Sequence, residues 1–161
     1  MRWLWIDKFT SLEPKTSAVA VKNVTAAEEH VHDLYPGFPV YPHSLIVEGM
    51  AQTAGILVGH ANDFALKVIL AKVGKAEFHR LTVPGDTLTF TATIDTLNDT
   101  GAGITGKVTN QHGADVADIA LMFSHIDNNM GGRRFPEHNF VFHDDFKDLV
   151  RGITERGSFE L

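Results

Sequence analysis

Glu48 interrupts an otherwise apolar stretch of the sequence, and Gln52 follows it four residues later. Residues four apart lie on the same face of an α-helix, so a helix here would bring the carboxyl and the amide within reach of each other. A buried carboxyl group is unfavourable unless it pairs or takes up a proton. The pair could therefore hold a water or a substrate hydroxyl, with Glu48 as general acid. An exposed glutamate, or one that makes a structural hydrogen bond, is the alternative.

The helix that must position this pair is predicted over residues 44–60. Pro42 suits a helix start, and its apolar residues cover most of the circumference, which is typical of a buried helix. Three glycines within it would let neighbouring strands approach closely. His43 and Ser44 lie at its start, where unpaired backbone N–H groups can polarise a carbonyl oxygen. The sequence therefore favours chemistry on a carbonyl compound.

An antiparallel sheet is predicted around this helix. Residues 87–97 alternate between apolar side chains and threonines, as a half-buried strand does. Further strands are predicted at residues 18–24, 67–73, 104–110 and 115–125, and turns at residues 83–86 and 101–103. Residues 28–43, rich in proline, are predicted to form an ordered loop. The fold class is therefore α+β, with a sheet wrapped around one long central helix.

Composition excludes several classes of function. The 161 residues include no cysteine, which rules out disulfides and thiolate catalysis. A net charge of -6 disfavours a nucleic-acid partner, and no apolar run reaches the length of a membrane span. His30 and His32 would lie on one side of a strand, but two imidazoles are a weak metal signal, and no metal is predicted. We expect a soluble, cytoplasmic protein.

Residues 35–52 read YPGFPVYPHSLIVEGMAQ and resemble the active-site segment of the hot-dog 3-hydroxyacyl-(acyl-carrier-protein) dehydratases. The resemblance covers residues 1–126, the predicted hot-dog domain. It implies a dimer whose active sites are each shared between two chains. It also implies loss of water from a 3-hydroxyacyl thioester to give a trans-2-enoyl thioester, in fatty-acid or related acyl-chain synthesis. No metal or organic cofactor is implied.

The resemblance assigns roles to single residues. Glu48 matches the acid that protonates the departing hydroxyl, and Gln52 matches the family glutamine one turn later. Two positions depart from the family: Leu34 stands where the family has its catalytic histidine, and His43 replaces a glycine. Because Leu34 cannot accept a proton, we predict His43 as the base, with His32 as the alternative.

Substrate contacts are predicted around these residues, at Leu34, Gly37, Phe38, Tyr41, Ser44 and Gln52. The expected partners are an acyl thioester on acyl carrier protein or coenzyme A and a second copy of the chain. Lysines and an arginine between residues 64 and 81 form either a docking face for the acidic carrier or an ordinary solvated face.

Two other functions fit the departure at Leu34: a non-catalytic acyl-thioester binder and a hot-dog thioesterase. Residues 127–161 are predicted to be a C-terminal extension, either an appendage or an arm that contacts a partner. A short helix is predicted within it, at residues 144–151.

Overall fold

A six-stranded antiparallel sheet curves around one long helix in the computed structural model, which describes residues 4–126, 135–142 and 144–155. Its strand order is β1-β2-β4-β5-β6-β3. The strands are β1 (Lys8–Glu13), β2 (Ser17–Asn23), β3 (Val68–Phe78), β4 (Thr87–Asn98), β5 (Gly101–Thr109) and β6 (Asp115–His125). The helices are α1 (His43–His60) and α2 (Asp144–Glu155). The predicted α+β architecture is confirmed.

Helix α1 is buried along most of its length, as its apolar sequence predicts. Pro42 precedes it with φ −60° and ψ 132°, an extended conformation that ends the loop and lets the helix begin. Gly49 lies under β4, where an added Cβ would stand 2.7 Å from a ring carbon of Phe90. The missing side chain therefore allows strand and helix to pack closely, as predicted.

The sheet departs from the prediction in three places: β1 was not predicted, β3 extends beyond the predicted residue 73 to Phe78, and one turn lies elsewhere. Gly101 and Gly103 do not turn the chain, because they begin β5. The reversal lies just before them, where Oδ1 of Asn98 accepts hydrogen bonds from the backbone N–H of Thr100 (2.9 Å) and Gly101 (3.2 Å). An asparagine side chain that closes a turn in this way replaces the glycine turn expected from the sequence.

Residues 28–41 form an ordered loop, but the expected extended stretch around His30 and His32 is wrong. Residues Glu29–Val31 make one 3₁₀ turn, and His32 keeps helical angles of φ −97° and ψ −9°. Val31 is fully buried, and its carbonyl accepts the N–H of Val40 at 2.8 Å, which closes the loop. The two imidazoles consequently do not share one side of a strand.

The described part of the C-terminal extension packs on the body of the domain. Helix α2, predicted at residues 144–151, lies against β1 and buries Val150. Phe142, just before it, is 5% exposed and packs against Phe64. Neither helix in the described ranges has the length and hydropathy needed to cross a membrane. The boundary at residue 126 and the dimer stay predictions.

Candidate active site

A cavity of about 300 Å³ opens along one face of α1. Its wall is apolar apart from two side chains, Glu48 and Gln52, among the lining residues that the structure describes. The lining residues are Leu4, Glu48, Ala51, Gln52, Gly55, Ile56, Val68, Leu70, Phe123, Val141 and Phe142. An apolar pocket with a few polar groups is typical of a site for a small, largely apolar ligand.

Gln52 orients the carboxyl of Glu48. Its Nε2 donates a hydrogen bond to Glu48 Oε1 at 3.0 Å, and its own Oε1 accepts the backbone N–H of Trp5 at 2.8 Å. Because the Trp5 amide can only donate, it fixes which end of the Gln52 amide faces the acid. The second oxygen of Glu48 has no hydrogen-bond partner among the described residues, so it can serve a ligand in the cavity.

The start of α1 leaves backbone N–H groups available. The amides of Leu45 and Ile46 bond to the carbonyl of Pro42 at 3.0 and 3.2 Å, whereas those of His43 and Ser44 have no partner within the described ranges. Unpaired N–H groups and the helix dipole favour negative charge at this end. Glu48 lies about 7 Å further along the helix axis, at 1.5 Å per residue. Helix α1 can therefore bind an acyl carbonyl at its N-terminus and hold the Glu48 carboxyl about 7 Å further along its axis.

His43 packs away from Glu48 within one chain. Its ring stacks on Phe78, with the ring centroids 4.0 Å apart and the planes 2° from parallel. His43 and Glu48 are five positions apart in sequence, so their side chains point about 140° apart around the helix. Burial lowers the pKa of His43, and its Nε2 is buried without a hydrogen-bond partner in the described structure. One chain alone does not bring the two groups together.

The other predicted site residues of the loop lie outside the cavity. His32 is exposed, with its Nε2 2.8 Å from the carbonyl oxygen of Ala26. Leu34 is 52% exposed and Phe38 54% exposed, and Gly37 makes a turn with φ 79°. Their roles, and that of the exposed Ser44, stay predictions.

Tyr41 is fully buried and belongs to a polar cluster beneath the loop. Its ring meets that of His30 edge-on at 5.4 Å, and His30 Nε2 lies 3.0 Å from Glu28 Oε2. Glu28 also accepts a hydrogen bond from the buried Lys22 at 2.9 Å. Burial raises the pKa of Tyr41 well above its usual range, and the negative charges of Glu28 and Asp7 raise it further. This cluster supports the loop and does not line the cavity.

The cavity also includes residues that sequence reasoning missed. Leu4 comes from the N-terminal segment, and the neighbouring Trp5 supports the acid from outside the cavity through its hydrogen bond to Gln52. Val141 and Phe142 come from the C-terminal extension. No local pattern marks these residues, because only the tertiary fold brings them to α1.

The predicted basic face is smaller in the structure than in the sequence. Lys67 is buried, and Lys75 pairs with Glu77 at 2.7 Å. The Nε of Arg80 donates to the carbonyl of Asp115 at 2.6 Å. Docking of an acidic carrier here stays a prediction.

Comparison with known sequences places the site in a family context. The model of the FabA-like domain matches residues 2–120. The 3-hydroxyacyl-[acyl-carrier-protein] dehydratase FabZ of Pelotomaculum thermopropionicum is 37% identical over 128 residues, which are 76% of this chain and 87% of that protein. FabZ of Roseobacter denitrificans is 42% identical over 89 residues, which are 53% of this chain and 59% of that protein. The chain thus spans only about three-fifths of the length of this second relative.

Solved structures share the fold. The E. coli PaaI protein superposes with a TM-score of 0.60 at 18% identity, covering 73% of this chain and 78% of that one. The dehydratase heterocomplex ApeI:P of Xenorhabdus doucetiae gives a TM-score of 0.64 at 11% identity, covering 78% and 84%. The protein smu.793 of Streptococcus mutans, solved with acetyl CoA, gives 0.63 at 18% identity, covering 78% and 92%. At such identities the similarities confirm the predicted hot-dog fold and nothing more.

Proposed function

The chain belongs to the FabA-like family of hot-dog proteins, and from this membership we propose that it is a 3-hydroxyacyl thioester dehydratase of fatty-acid or related acyl-chain synthesis. The carrying observation is the placement of Glu48, which Gln52 holds in an apolar cavity along the middle of α1. The thioester would come on acyl carrier protein or coenzyme A. The lack of cysteine fits the reducing cytoplasm, where we place the protein.

The proposed reaction needs an acid, a base and a carbonyl site. The base takes a proton from C2 of the substrate, and the electrons of that C–H bond form the C2=C3 double bond. The C3–O bond breaks as Glu48 gives its proton to the departing hydroxyl, which leaves as water. Negative charge that develops on the thioester oxygen is stabilised by the amides of His43 and Ser44. Every step uses side chains or amides of the protein itself.

A second copy of the chain is proposed to complete the site. Strand β3 is an edge strand of 11 residues, and its Leu70 and Val73 pair in register with the buried Phe123 and Leu121 of β6. Leu70 and Val73 therefore point to the inner face of the sheet, yet they are 39% and 43% exposed. A long edge strand with uncovered apolar residues is a pairing surface. We infer that β3 of a second copy covers it.

His43 is proposed as the base that this second copy contributes. In the position of the family histidine, Leu34 has no basic group, whereas the partly buried imidazole of His43 stays neutral to lower pH and can accept a proton. Within one chain, His43 and Glu48 point about 140° apart around α1 and cannot face each other, at about 100° per residue. Across the dimer, His43 of one copy would face Glu48 of the other. His32 is weaker, because its Nε2 is engaged by the Ala26 carbonyl.

The base assignment predicts a specific pH profile. We expect kcat/KM for dehydration of a 3-hydroxyacyl thioester to fall on the acid side only below the ordinary histidine pKa of about 6.5, because burial lowers the pKa of His43. As pH falls through this lowered pKa, the imidazole gains a proton and stops acting as a base. The substitution His43→Gln should lower kcat/KM about 100-fold and abolish this acid limb.

His32→Gln is the matched control, since it removes an exposed imidazole from the same loop region. It should leave both the rate and the acid limb as in the unsubstituted protein. An acid limb that survives in His43→Gln would exclude His43 as the base.

A further inference from the structure

The cavity beside Glu48 is lined in part by residues that lie beyond the family match. The FabA-like match ends at residue 120, yet Val141 and Phe142 line the same cavity as Glu48 and Gln52. The wall that they form therefore comes from a segment outside the matched residues.

This wall is fixed in place by hydrogen bonds on both sides of Asn139. Its Nδ2 donates to the carbonyls of Phe64 and Leu66 at 2.9 and 3.1 Å, which attaches the segment to the connection after α1. Its Oδ1 accepts the backbone N–H groups of Val141 and Phe142 at 3.0 and 2.9 Å. The Asn139 side chain thus holds the two wall residues, because its nitrogen and its oxygen both make hydrogen bonds.

Phe142 lies at the end of α1 that is far from the acid. Its ring meets that of Phe64 at 5.1 Å, and a Cβ added at Gly59 would stand 2.8 Å from it. Gly55, which lines the cavity, lies about 10 Å along the helix axis from Glu48, and Gly59 about 16 Å, at 1.5 Å per residue. An acyl tail that starts beside Glu48 and runs along α1 therefore passes Gly55 after about 10 Å and meets the Phe142 ring, which lies against Gly59, before about 16 Å.

We propose that Val141 and Phe142 form the end wall of the acyl pocket and restrict the protein to short and medium-length acyl chains. This assignment rests on the proposed function, because it takes the cavity as the site of the acyl tail.

Chain-length profiles of wall variants test the assignment. The probes are trans-2-enoyl-CoA thioesters from crotonyl to dodecenoyl, and the readout is the ratio of kcat/KM for dodecenoyl to that for crotonyl. In Phe142→Ala this ratio should rise at least about 10-fold, because opening an apolar pocket by several carbon atoms removes the block to the longer tail. Phe142→Leu, which keeps an apolar contact and protects the fold, should give a smaller rise in the same direction.

Phe140→Ala is the matched control, since it removes the same ring from an exposed position two residues away. Its ratio should equal that of the unsubstituted protein. A ratio within twofold of the unsubstituted value in both Phe142 variants, with melting temperatures that show folded protein, would overturn the wall.

Binding separates this inference from the proposed reaction. Calorimetry with saturated butyryl-CoA and dodecanoyl-CoA needs no turnover. If no variant hydrates any enoyl thioester but Phe142→Ala gains at least about 10-fold in relative affinity for dodecanoyl-CoA, the wall stands and the dehydratase assignment fails. If relative affinity does not change, or if no acyl-CoA binds, the wall is overturned.

Discussion

Replacing Glu48 by glutamine is expected to lower the rate of enoyl thioester hydration at least about 100-fold, the usual minimum for losing a general acid–base group. Glutamine has nearly the same shape, and its carbonyl oxygen can still accept the hydrogen bond from Gln52. What it lacks is an ionisable carboxyl group, which takes a proton from the attacking water during hydration and gives it to the departing hydroxyl during dehydration. The measurement is kcat/KM for trans-2-octenoyl-CoA, followed by loss of the enoyl absorbance.

Glu48→Asp provides the matched control for this prediction. It keeps a carboxyl group but moves it back by one methylene, so it should retain more activity than Glu48→Gln. Equal melting temperatures would show that the loss does not come from unfolding. A loss below tenfold in Glu48→Gln would rule out Glu48 as the acid.

The second large effect is expected at the sheet edge. Val73→Glu should weaken self-association at least about 30-fold, because a hot-spot loss of about 2 kcal/mol corresponds to that factor. The substitution puts a negative charge among the uncovered apolar residues of β3. In the proposed dimer the second chain carries the same charge on the same surface, so the two charges repel each other. Sedimentation at several concentrations measures the association. Activity should fall with the dimer fraction, since the base is proposed to come from the second copy.

Met122→Glu is the control for this edge variant. Met122 is also an exposed apolar residue, but it lies on β6, which has a neighbouring strand on each side. It pairs with Lys72, so it does not belong to the apolar edge formed by Leu70 and Val73. It should leave the association and the activity unchanged. A Val73→Glu protein that is monomeric and fully active would show that one chain holds the complete site.

Local patterns in the sequence were sufficient for the helix, most of the sheet and the pairing of Glu48 with Gln52. Glu48 and Gln52 were found because residues four apart are neighbours on one face of a helix, and the structure shows a hydrogen bond of 3.0 Å between them. Strand β4 was found because alternation of threonine with apolar residues fits a half-buried strand.

The remaining features depend on tertiary structure. His30 and His32 were misread because burial of Val31 and the closing bond from Val40 favour a 3₁₀ turn over an extended segment. The Trp5–Gln52 hydrogen bond joins residues 47 apart in sequence, and no local pattern records such a contact. Phe142 is found as part of the cavity only after Asn139 is seen to fasten the extension to the domain.

The most direct test of the dehydratase assignment is to incubate the purified protein with trans-2-octenoyl thioesters of coenzyme A and of acyl carrier protein. Enoyl absorbance and free thiol are followed in the same sample. The account predicts that the enoyl signal falls to an equilibrium value, that the 3-hydroxyacyl thioester forms, and that no thiol is released. Free thiol released as fast as the enoyl signal falls would instead identify a thioesterase. Tight binding without any loss of enoyl signal, across chain lengths and carriers, would identify a non-catalytic acyl-thioester binder and contradict the dehydratase assignment.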